Sequence, residues 1–196
     1  MRFVLAITGA SGALYGVRLL YALVERGQEV SLVVSPTGAE IIAQETGRSV
    51  ETGRGLPPLV PAEAKTVTRY HFDDLMAPIA SGSVAFDGMV IAPASMGTIG
   101  RLAAGTANDL IARAADVCLK ERRRLIVVPR ESPMSLIHLR NLAALAEAGA
   151  TIMPACPAFY GRPATLDDLV AGFVGRILDV LGVENDLAVR WGEDRS

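Results

Sequence analysis

The chain has 196 residues, of which 51% are hydrophobic and 20% charged, and its formal net charge is −2. This length predicts one domain with a substantial core, and the low charge with only 5% aromatic residues argues against nucleic-acid binding. Because no apolar run could span a bilayer and no signal-peptide pattern is present, we expect a cytoplasmic protein without membrane contact. Cys118 and Cys156 form no Cys-x-x-Cys pair, and we expect both to be buried small hydrophobes.

A glycine-rich turn follows the first apolar run of the chain. Residues 3–7 predict a buried strand, the turn continues as Gly9-Ala10-Ser11-Gly12, residues 17–26 have the period of an amphipathic helix, and residues 30–34 predict a second strand. In such a unit the glycines let the backbone approach an anion, and the free amides at the start of the helix point at it. The unit therefore predicts a phosphate site, to which Ser11 adds a hydroxyl.

The spacing of this turn favours a mononucleotide over a dinucleotide. It is Gly-x-x-Gly-x-x-x-Gly, whereas a dinucleotide fingerprint has Gly-x-Gly-x-x-Gly. Ser35 follows the second strand, where a dinucleotide site carries an acid for the ribose hydroxyls. We therefore favour FMN over NAD. A tight strand-to-helix turn without a ligand remains the alternative.

The remaining elements alternate between helix and strand. We predict helices over 37–44 (capped by Ser35 or Thr37), 107–122 (capped by Thr106 or Asn108), 135–148 and 166–181, strands over 66–68, 88–92, 125–128 and 151–153, and a surface excursion over 48–64. Alternation of this kind predicts an α/β fold with a mainly parallel sheet and helices on both faces.

Four strand-end turns should meet at one edge of that sheet, because right-handed crossovers place the carboxyl ends of parallel strands together. These turns are residues 9–12, Ser35, residues 93–98 and residues 129–133. They carry hydroxyls, glycines, one arginine and one glutamate, and no histidine. We expect them to line one pocket.

Six motifs in this order resemble the UbiX/Pad-type flavin prenyltransferases over nearly the whole chain. They are residues 8–16 (TGASGALYG), 76–83 (MAPIASGS), 93–98 (PASMGT), 108–123 (NDLIARAADVCLKERR), 129–133 (PRESP) and 157–160 (PAFY). Each motif alone is weak, but the ordered set is specific. One departure is Leu75, which stands where several members of the family carry an aromatic residue, and it puts substrate choice or rate in doubt.

The resemblance implies a single-domain, three-layer flavodoxin-like (Rossmann-type) fold and a metal-independent enzyme. Such an enzyme joins the dimethylallyl group of dimethylallyl phosphate to reduced FMN at N5 and C6, and it hands prenylated FMN to a UbiD-type decarboxylase. The resemblance also implies a homo-oligomer, a dodecamer, with active sites where subunits meet. Residues 1–183 would form the flavin-binding domain, and the tail 184–196 would pack on a neighbouring subunit, with Trp191 folding over that subunit's site.

The resemblance further implies roles for single residues. The FMN contacts are Gly9, Ala10, Ser11, Ser35, Ser95, Met96, Gly97, Thr98 and Arg130. The groups that bind the prenyl phosphate are Arg113, Lys120, Arg130, Tyr160 and Arg176, some of them from neighbouring subunits. The catalytic residues are Ser11 and Glu131 as a proton-handling pair, Glu45 as an acid near the flavin, and Lys120.

Other interpretations of these residues stay open. Arg113 and Lys120 lie seven positions apart, so they share one helix face and fit an ordinary exposed pair, and Arg176 fits an ion pair between subunits. A flavin-dependent cysteine decarboxylase has a similar turn but uses a histidine on an early helix, and residues 12–45 contain none. A non-catalytic flavin carrier would have no reason to gather four cations beside the flavin.

Overall fold

Six parallel strands form one sheet in the computed structural model, which describes residues 1–50, 58–60, 64–187 and 192. The strands are β1 (Arg2–Ile7), β2 (Glu29–Val34), β3 (Val67–Tyr70), β4 (Gly88–Ala94), β5 (Arg124–Pro129) and β6 (Thr151–Ile152). They lie in the order β3-β2-β1-β4-β5-β6, and every neighbouring pair is parallel. The order reverses direction between β1 and β4, which makes this point the topological switch of the sheet.

Helices cover both faces of the sheet, as the alternating pattern predicts. They are α1 (Ala13–Glu25), α2 (Pro36–Thr46), α3 (Met96–Ala103), α4 (Leu110–Lys120), α5 (Leu136–Glu147) and α6 (Leu166–Leu181), with a short 3-10 turn at Pro78–Ala80. Helices α1, α2 and α6 contribute to one hydrophobic core, while α3, α4 and α5 contribute to the other. The fold is therefore a three-layer, flavodoxin-like α/β domain.

The central strands separate these two cores. Successive residues of β1 alternate between them: Phe3 and Leu5 lie in the core with α1 and α6, whereas Val4 and Ala6 lie in the core with α4. A strand that is buried on both faces has apolar residues at successive positions, so its sequence is an unbroken apolar run. This is why β1, β4 and β5 are visible in the sequence.

The helix predicted over residues 107–122 is shorter than expected at both ends. It begins at Leu110, and its N-cap is Asp109, so the prediction of Thr106 or Asn108 as the cap is wrong. Ser35 is confirmed as the N-cap of α2. Strand β4 also continues beyond its predicted end, through Pro93 to Ala94.

Some predictions fall on other parts of the chain. Most of the surface excursion over 48–64 and the tail residue Trp191 lie outside the described residues. The division into a domain 1–183 and a tail 184–196 therefore stays a prediction. Within the described part of the chain, no helix combines the length and apolar character needed to cross a membrane.

Candidate active site

The carboxyl ends of β1 and β4 are tied together at the switch point by the buried side chain of Thr8. The Thr8 hydroxyl donates to the carbonyl of Pro93 at 2.8 Å and accepts from the backbone N–H of Ser95 at 2.8 Å. This side chain joins the glycine-rich turn after β1 to the turn after β4. Two of the turns predicted to line one pocket are thus joined by hydrogen bonds at the place where open α/β sheets bind ligands.

Two amides of the glycine-rich turn bind a carboxylate of the chain itself. Glu45, near the end of α2, accepts from the N–H of Gly12 at 3.0 Å with each of its oxygens and from the N–H of Ala13 at 2.8 Å. The expectation that the amides at the start of α1 are free for a ligand is therefore wrong for these two. A negative charge at a helix N-terminus is favourable, so Glu45 stabilises α1 and fixes the turn. Ser11, between the glycines, is exposed.

The turn after β4 presents a second set of polar groups. Ser95 caps α3: its hydroxyl accepts from the N–H of Thr98 at 3.3 Å and lies 3.1 Å from the Thr98 hydroxyl. Met96 is buried and Gly97 is exposed, so the open side of this turn is largely backbone. Ser35 caps α2 in the same way, accepting from the N–H of Gly38 at 3.1 Å. The predicted flavin contacts other than Arg130 therefore lie at or just before the starts of three helices on one edge of the sheet.

Arg130 reaches this edge from the end of β5. A Cβ atom built on Gly12 would lie 3.8 Å from Cγ of Arg130, which places the arginine against the glycine-rich turn. Glu131 follows it, exposed, with one carboxylate oxygen accepting from the N–H of Ser132 at 3.0 Å. Ser11 and the Arg130-Glu131 pair thus lie at the same end of the sheet.

Tyr15 lies beside Arg130 in the first turn of α1. Burial raises the pKa of the Tyr15 phenol, the neighbouring Cys156 raises it further, and the positive charge of Arg130 opposes both. The phenol therefore stays protonated and available as a hydrogen-bond donor. Its ring packs edge-on against Phe173, with the ring centroids 5.1 Å apart.

A cleft of about 320 Å³ opens next to these residues. Its lining includes Cys156, Tyr160, Phe173 and Arg176. Arg176 donates to Asp179 at 2.5 Å, and both lie on α6. Of the five predicted phosphate-binding groups, Arg130 thus lies against the glycine-rich turn, while Tyr160 and Arg176 line a cleft that adjoins Tyr15 through Phe173.

Arg113 and Lys120 lie elsewhere in the chain. Arg113 donates to the carbonyl of Ala80 at 2.9 Å and to Asp116 at 2.7 Å. Lys120 forms an ion pair with Glu121, and its charge and hydrogen bond lower the pKa of that carboxyl. Both residues belong to α4, on the opposite face of the sheet from α6.

The length of β5 separates the two groups along the sheet. Lys120 ends α4 just before β5 begins at Arg124, whereas Arg130 follows the far end of β5 at Pro129. Six strand residues span roughly 20 Å. One chain therefore does not bring Lys120 to Arg130 and Arg176, and the described residues form two cationic groups rather than one.

Comparison with known proteins identifies the family. The Flavoprotein family model matches residues 1–178. The flavin prenyltransferase UbiX of Thermoplasma acidophilum is 49% identical over 191 residues, which cover 97% of this chain and 100% of that protein. The chain belongs to the UbiX flavin prenyltransferase family.

Two solved structures of UbiX-like proteins have the same fold. AnUbiX (PadA1), crystallised with FMN and dimethylallyl pyrophosphate, is 39% identical with a TM-score of 0.88, and the match covers 99% of this chain and 98% of that one. A dodecameric FMN-dependent UbiX-like decarboxylase from Escherichia coli O157:H7 is 40% identical with a TM-score of 0.86, over 98% of this chain and 100% of the other.

Several residues of this UbiX-family site were missed from the sequence. They are Thr8, Tyr15, Cys156 and Phe173, whose positions at the site follow from packing between distant segments. Cys156 is exposed, so the expectation that both cysteines are buried is wrong for it, while Cys118 is buried as expected. A cysteine in a loop after a short strand gives no sequence signal of its exposure. Thr8 and Tyr15, both within the motif over residues 8–16, stood in positions that the sequence could have suggested.

Proposed function

We propose that this chain is a metal-independent flavin prenyltransferase, which joins the dimethylallyl group of dimethylallyl phosphate to reduced FMN at N5 and C6. Identity of 49% to a flavin prenyltransferase over almost the whole chain supports the activity. The observation that carries it is that Arg130 lies against the glycine-rich turn at one edge of the sheet, and that the cleft with Tyr160 and Arg176 adjoins Tyr15 through Phe173. Such an edge can hold a flavin nucleotide and a leaving phosphate side by side.

We infer that the chain holds FMN with the two turns that Thr8 joins. The Ser11 hydroxyl and the backbone of half-buried Gly9 and exposed Gly97 present donors to a phosphate or a polar ring edge. The N–H of Ala10 donates to the carbonyl of Thr8 at 2.9 Å, so Ala10 would contact FMN by packing. Because Glu45 already occupies the amides of Gly12 and Ala13, FMN would bind through the other groups of the edge. Glu45 then stands as a fixed negative charge close to the flavin.

The cations would stabilise the phosphate as it leaves. Loss of an allylic phosphate needs positive charge at the departing oxygens, and arginine supplies it in bidentate form. Arg176 pairs with Asp179, whose side chain is only 16% exposed. Arg113 and Lys120 pair with Asp116 and Glu121, which are more exposed, and ion pairs with exposed acids are weak. A phosphate can therefore replace those acids at little cost. Tyr160 adds a hydroxyl to the same cleft.

Proton handling would fall to Glu131 and Ser11. When the carbon–oxygen bond of the substrate breaks, its electron pair would leave with the phosphate, the allylic carbon would bond to N5, and the N5 proton would leave. Ring closure would then add a proton to the double bond of the dimethylallyl group, form the bond to C6 and release the proton of C6. Glu131 is exposed next to Arg130 in the chain, and its carboxylate can accept the C6 proton, as can the released phosphate. The apolar wall at Phe173 would keep water away from the allylic group.

We further propose a homododecamer in the cytoplasm that passes prenylated FMN to a UbiD-type decarboxylase, as ubiquinone biosynthesis requires. The separation of Lys120 from Arg176 in one chain supports an active site shared between subunits. The dodecameric assembly of the Escherichia coli structure supports the number of subunits.

Anaerobic incubation with reduced FMN and dimethylallyl monophosphate, without added metal, tests the activity. Mass spectrometry should find flavin heavier by one isoprene unit, and Arg176→Met should abolish this product while FMN still binds. Arg2→Met is the matched control, since Arg2 lies at the opposite edge of the sheet, and it should leave the yield unchanged. Flavin recovered unaltered from the wild type would favour a carrier, and carbon dioxide release from a cysteine-terminated peptide would favour a decarboxylase.

A further inference from the structure

A buried carboxylate lies between the candidate FMN turn and the helix that carries Arg113. The side chain of Asp109 is only 5% exposed. One of its oxygens accepts from the N–H of Ala112 at 2.8 Å, which makes Asp109 the N-cap of α4. Capping alone does not require a charge, because asparagine and serine cap as well as aspartate does. The contact made by the second oxygen of Asp109 therefore matters for its burial.

That second oxygen faces Arg101, in the last turn of α3. Nη2 of Arg101 lies 3.3 Å from the carboxylate of Asp109 and donates to the hydroxyl of Thr98 at 3.3 Å. Nη1 donates to the carbonyl of Gly97 at 3.4 Å. Arg101 thus binds the carboxylate on one side and two residues of the candidate FMN turn on the other.

The contacts continue in both directions. Thr98 is buried, and its hydroxyl lies 3.1 Å from that of Ser95, whose N–H donates to Thr8. On the other side, the N–H of Arg113 donates to the backbone carbonyl of Asp109 at 2.9 Å. A continuous polar path therefore runs from the glycine-rich turn to the first turn of α4.

We propose that Arg101 and Asp109 are a positioning pair for prenyl transfer. They hold the Thr98 hydroxyl and the start of α3 in place for FMN, and they fix the start of α4, which presents Arg113 to the substrate phosphate. This inference rests on the proposed function. Neither residue touches FMN or the prenyl phosphate, and both act through Thr98 and the backbone of α4. A buried charge is costly unless it is paired, so removing either partner should destabilise the protein.

Asp109→Asn tests the charge without removing the cap. The asparagine oxygen still accepts from the N–H of Ala112. The NH2 group of the asparagine, a donor, takes the place of the carboxylate oxygen that contacts Arg101. We expect the dissociation constant for FMN, measured by quenching of FMN fluorescence, to rise about tenfold, which matches a coupling near 1.4 kcal/mol. Asp87→Asn is the matched control: Asp87 accepts from the N–H of Arg2 at the opposite edge of the sheet, and its loss should leave FMN affinity unchanged.

A double-mutant cycle separates positioning from a general loss of stability. If Asp109 acts through the Thr98 hydroxyl, Asp109→Asn should weaken FMN binding in the wild type and have no further effect in Thr98→Val. Arg101→Met should lower the melting temperature because it leaves a buried charge unpaired, and adding Asp109→Asn should restore part of it.

Full FMN affinity in Asp109→Asn, or equal losses with and without the Thr98 hydroxyl, would overturn the positioning role. Wild-type protein that binds FMN but transfers no prenyl group would contradict the proposed function and leave the FMN-positioning result readable. Wild-type protein that binds no FMN would overturn both.

Discussion

The two cysteines show how differently one residue type behaves in this molecule. Burial raises the pKa of the Cys118 thiol to about 12, although the charge of Arg123 acts in the opposite direction. Only the thiolate is a good nucleophile, so Cys118 stays unreactive at neutral and mildly alkaline pH. Cys156 is exposed and lines the cleft with Tyr160 and Arg176.

Thiol labelling tests this difference. Iodoacetamide in mildly alkaline buffer should modify Cys156 in the native protein, and both cysteines only after unfolding in urea. Dimethylallyl monophosphate should slow the modification of Cys156, because it would fill the cleft. Peptide mass spectrometry reads out both sites. Modification of Cys118 in native protein would contradict its burial.

The proposed role of Glu131 is to accept a proton during prenyl transfer. Glu131 is exposed, and its carboxylate accepts from the N–H of its own neighbour, Ser132. Glu131→Gln keeps the shape and removes the proton acceptor, so we expect the turnover rate to fall about 100-fold or more, within the range typical of general-base removal. FMN affinity should change little. An unchanged turnover rate would remove Glu131 from the mechanism.

At the scale of elements, α1 packs closely on β4. A Cβ atom on Gly16 would lie 2.2 Å from the carbonyl oxygen of Ala92, so only glycine lets α1 pack this closely on the strand. Because α1 begins at the glycine-rich turn, this contact also sets the position of Gly12 and Ala13. Helix packing and the candidate site are thus coupled here.

Gly16→Ala should push α1 away from β4. We expect the free energy of unfolding to fall by about 2 kcal/mol or more, as for overpacking in a tight core. Gly100→Ala is the control, since its Cβ would lie 3.5 Å from Asn141 Nδ2, an ordinary contact, and alanine favours a helix by about 0.5–1 kcal/mol over glycine. Urea denaturation measures both. Equal effects of the two substitutions would contradict the packing argument.

The elements of this fold were largely predictable because its central strands are buried on both faces. Residues 3–7, 88–92 and 125–128 read as apolar runs for that reason, and β1, β4 and β5 contain them. The cap of α4 was not predictable, since Thr106, Asn108 and Asp109 are all capping residue types. Only the burial of Asp109 and its contact with Arg101 select it.

The candidate site was predictable as a set of turns but not as a set of contacts. The turns after β1, β4 and β5 were predicted to meet at one edge of a parallel sheet. The sheet is parallel, so these turns do lie at one edge. The bonds from Gly12 and Ala13 to Glu45 connect positions more than 30 residues apart, through the packing of α2 against α1. No local pattern encodes such a contact.

At the scale of the whole molecule, the two cationic groups lie too far apart to act together within one chain. Lys120 ends α4 just before β5 begins, whereas Arg176 belongs to α6 on the other face of the sheet and lines the cleft with Tyr160. If both bind one phosphate, they belong to different subunits. A complete site then exists only in the oligomer.

Subunit complementation tests this most directly. Lys120→Met and Arg176→Met should each abolish prenyl transfer when expressed alone. When the two variants are co-expressed and assemble together, about a quarter of the sites should receive both native side chains from neighbouring subunits. We therefore predict that prenylated FMN reappears in the mixed oligomer, at about a quarter of the wild-type yield for an equal mixture. Mixed oligomers that contain both variants and make no prenylated FMN would contradict a site shared between subunits.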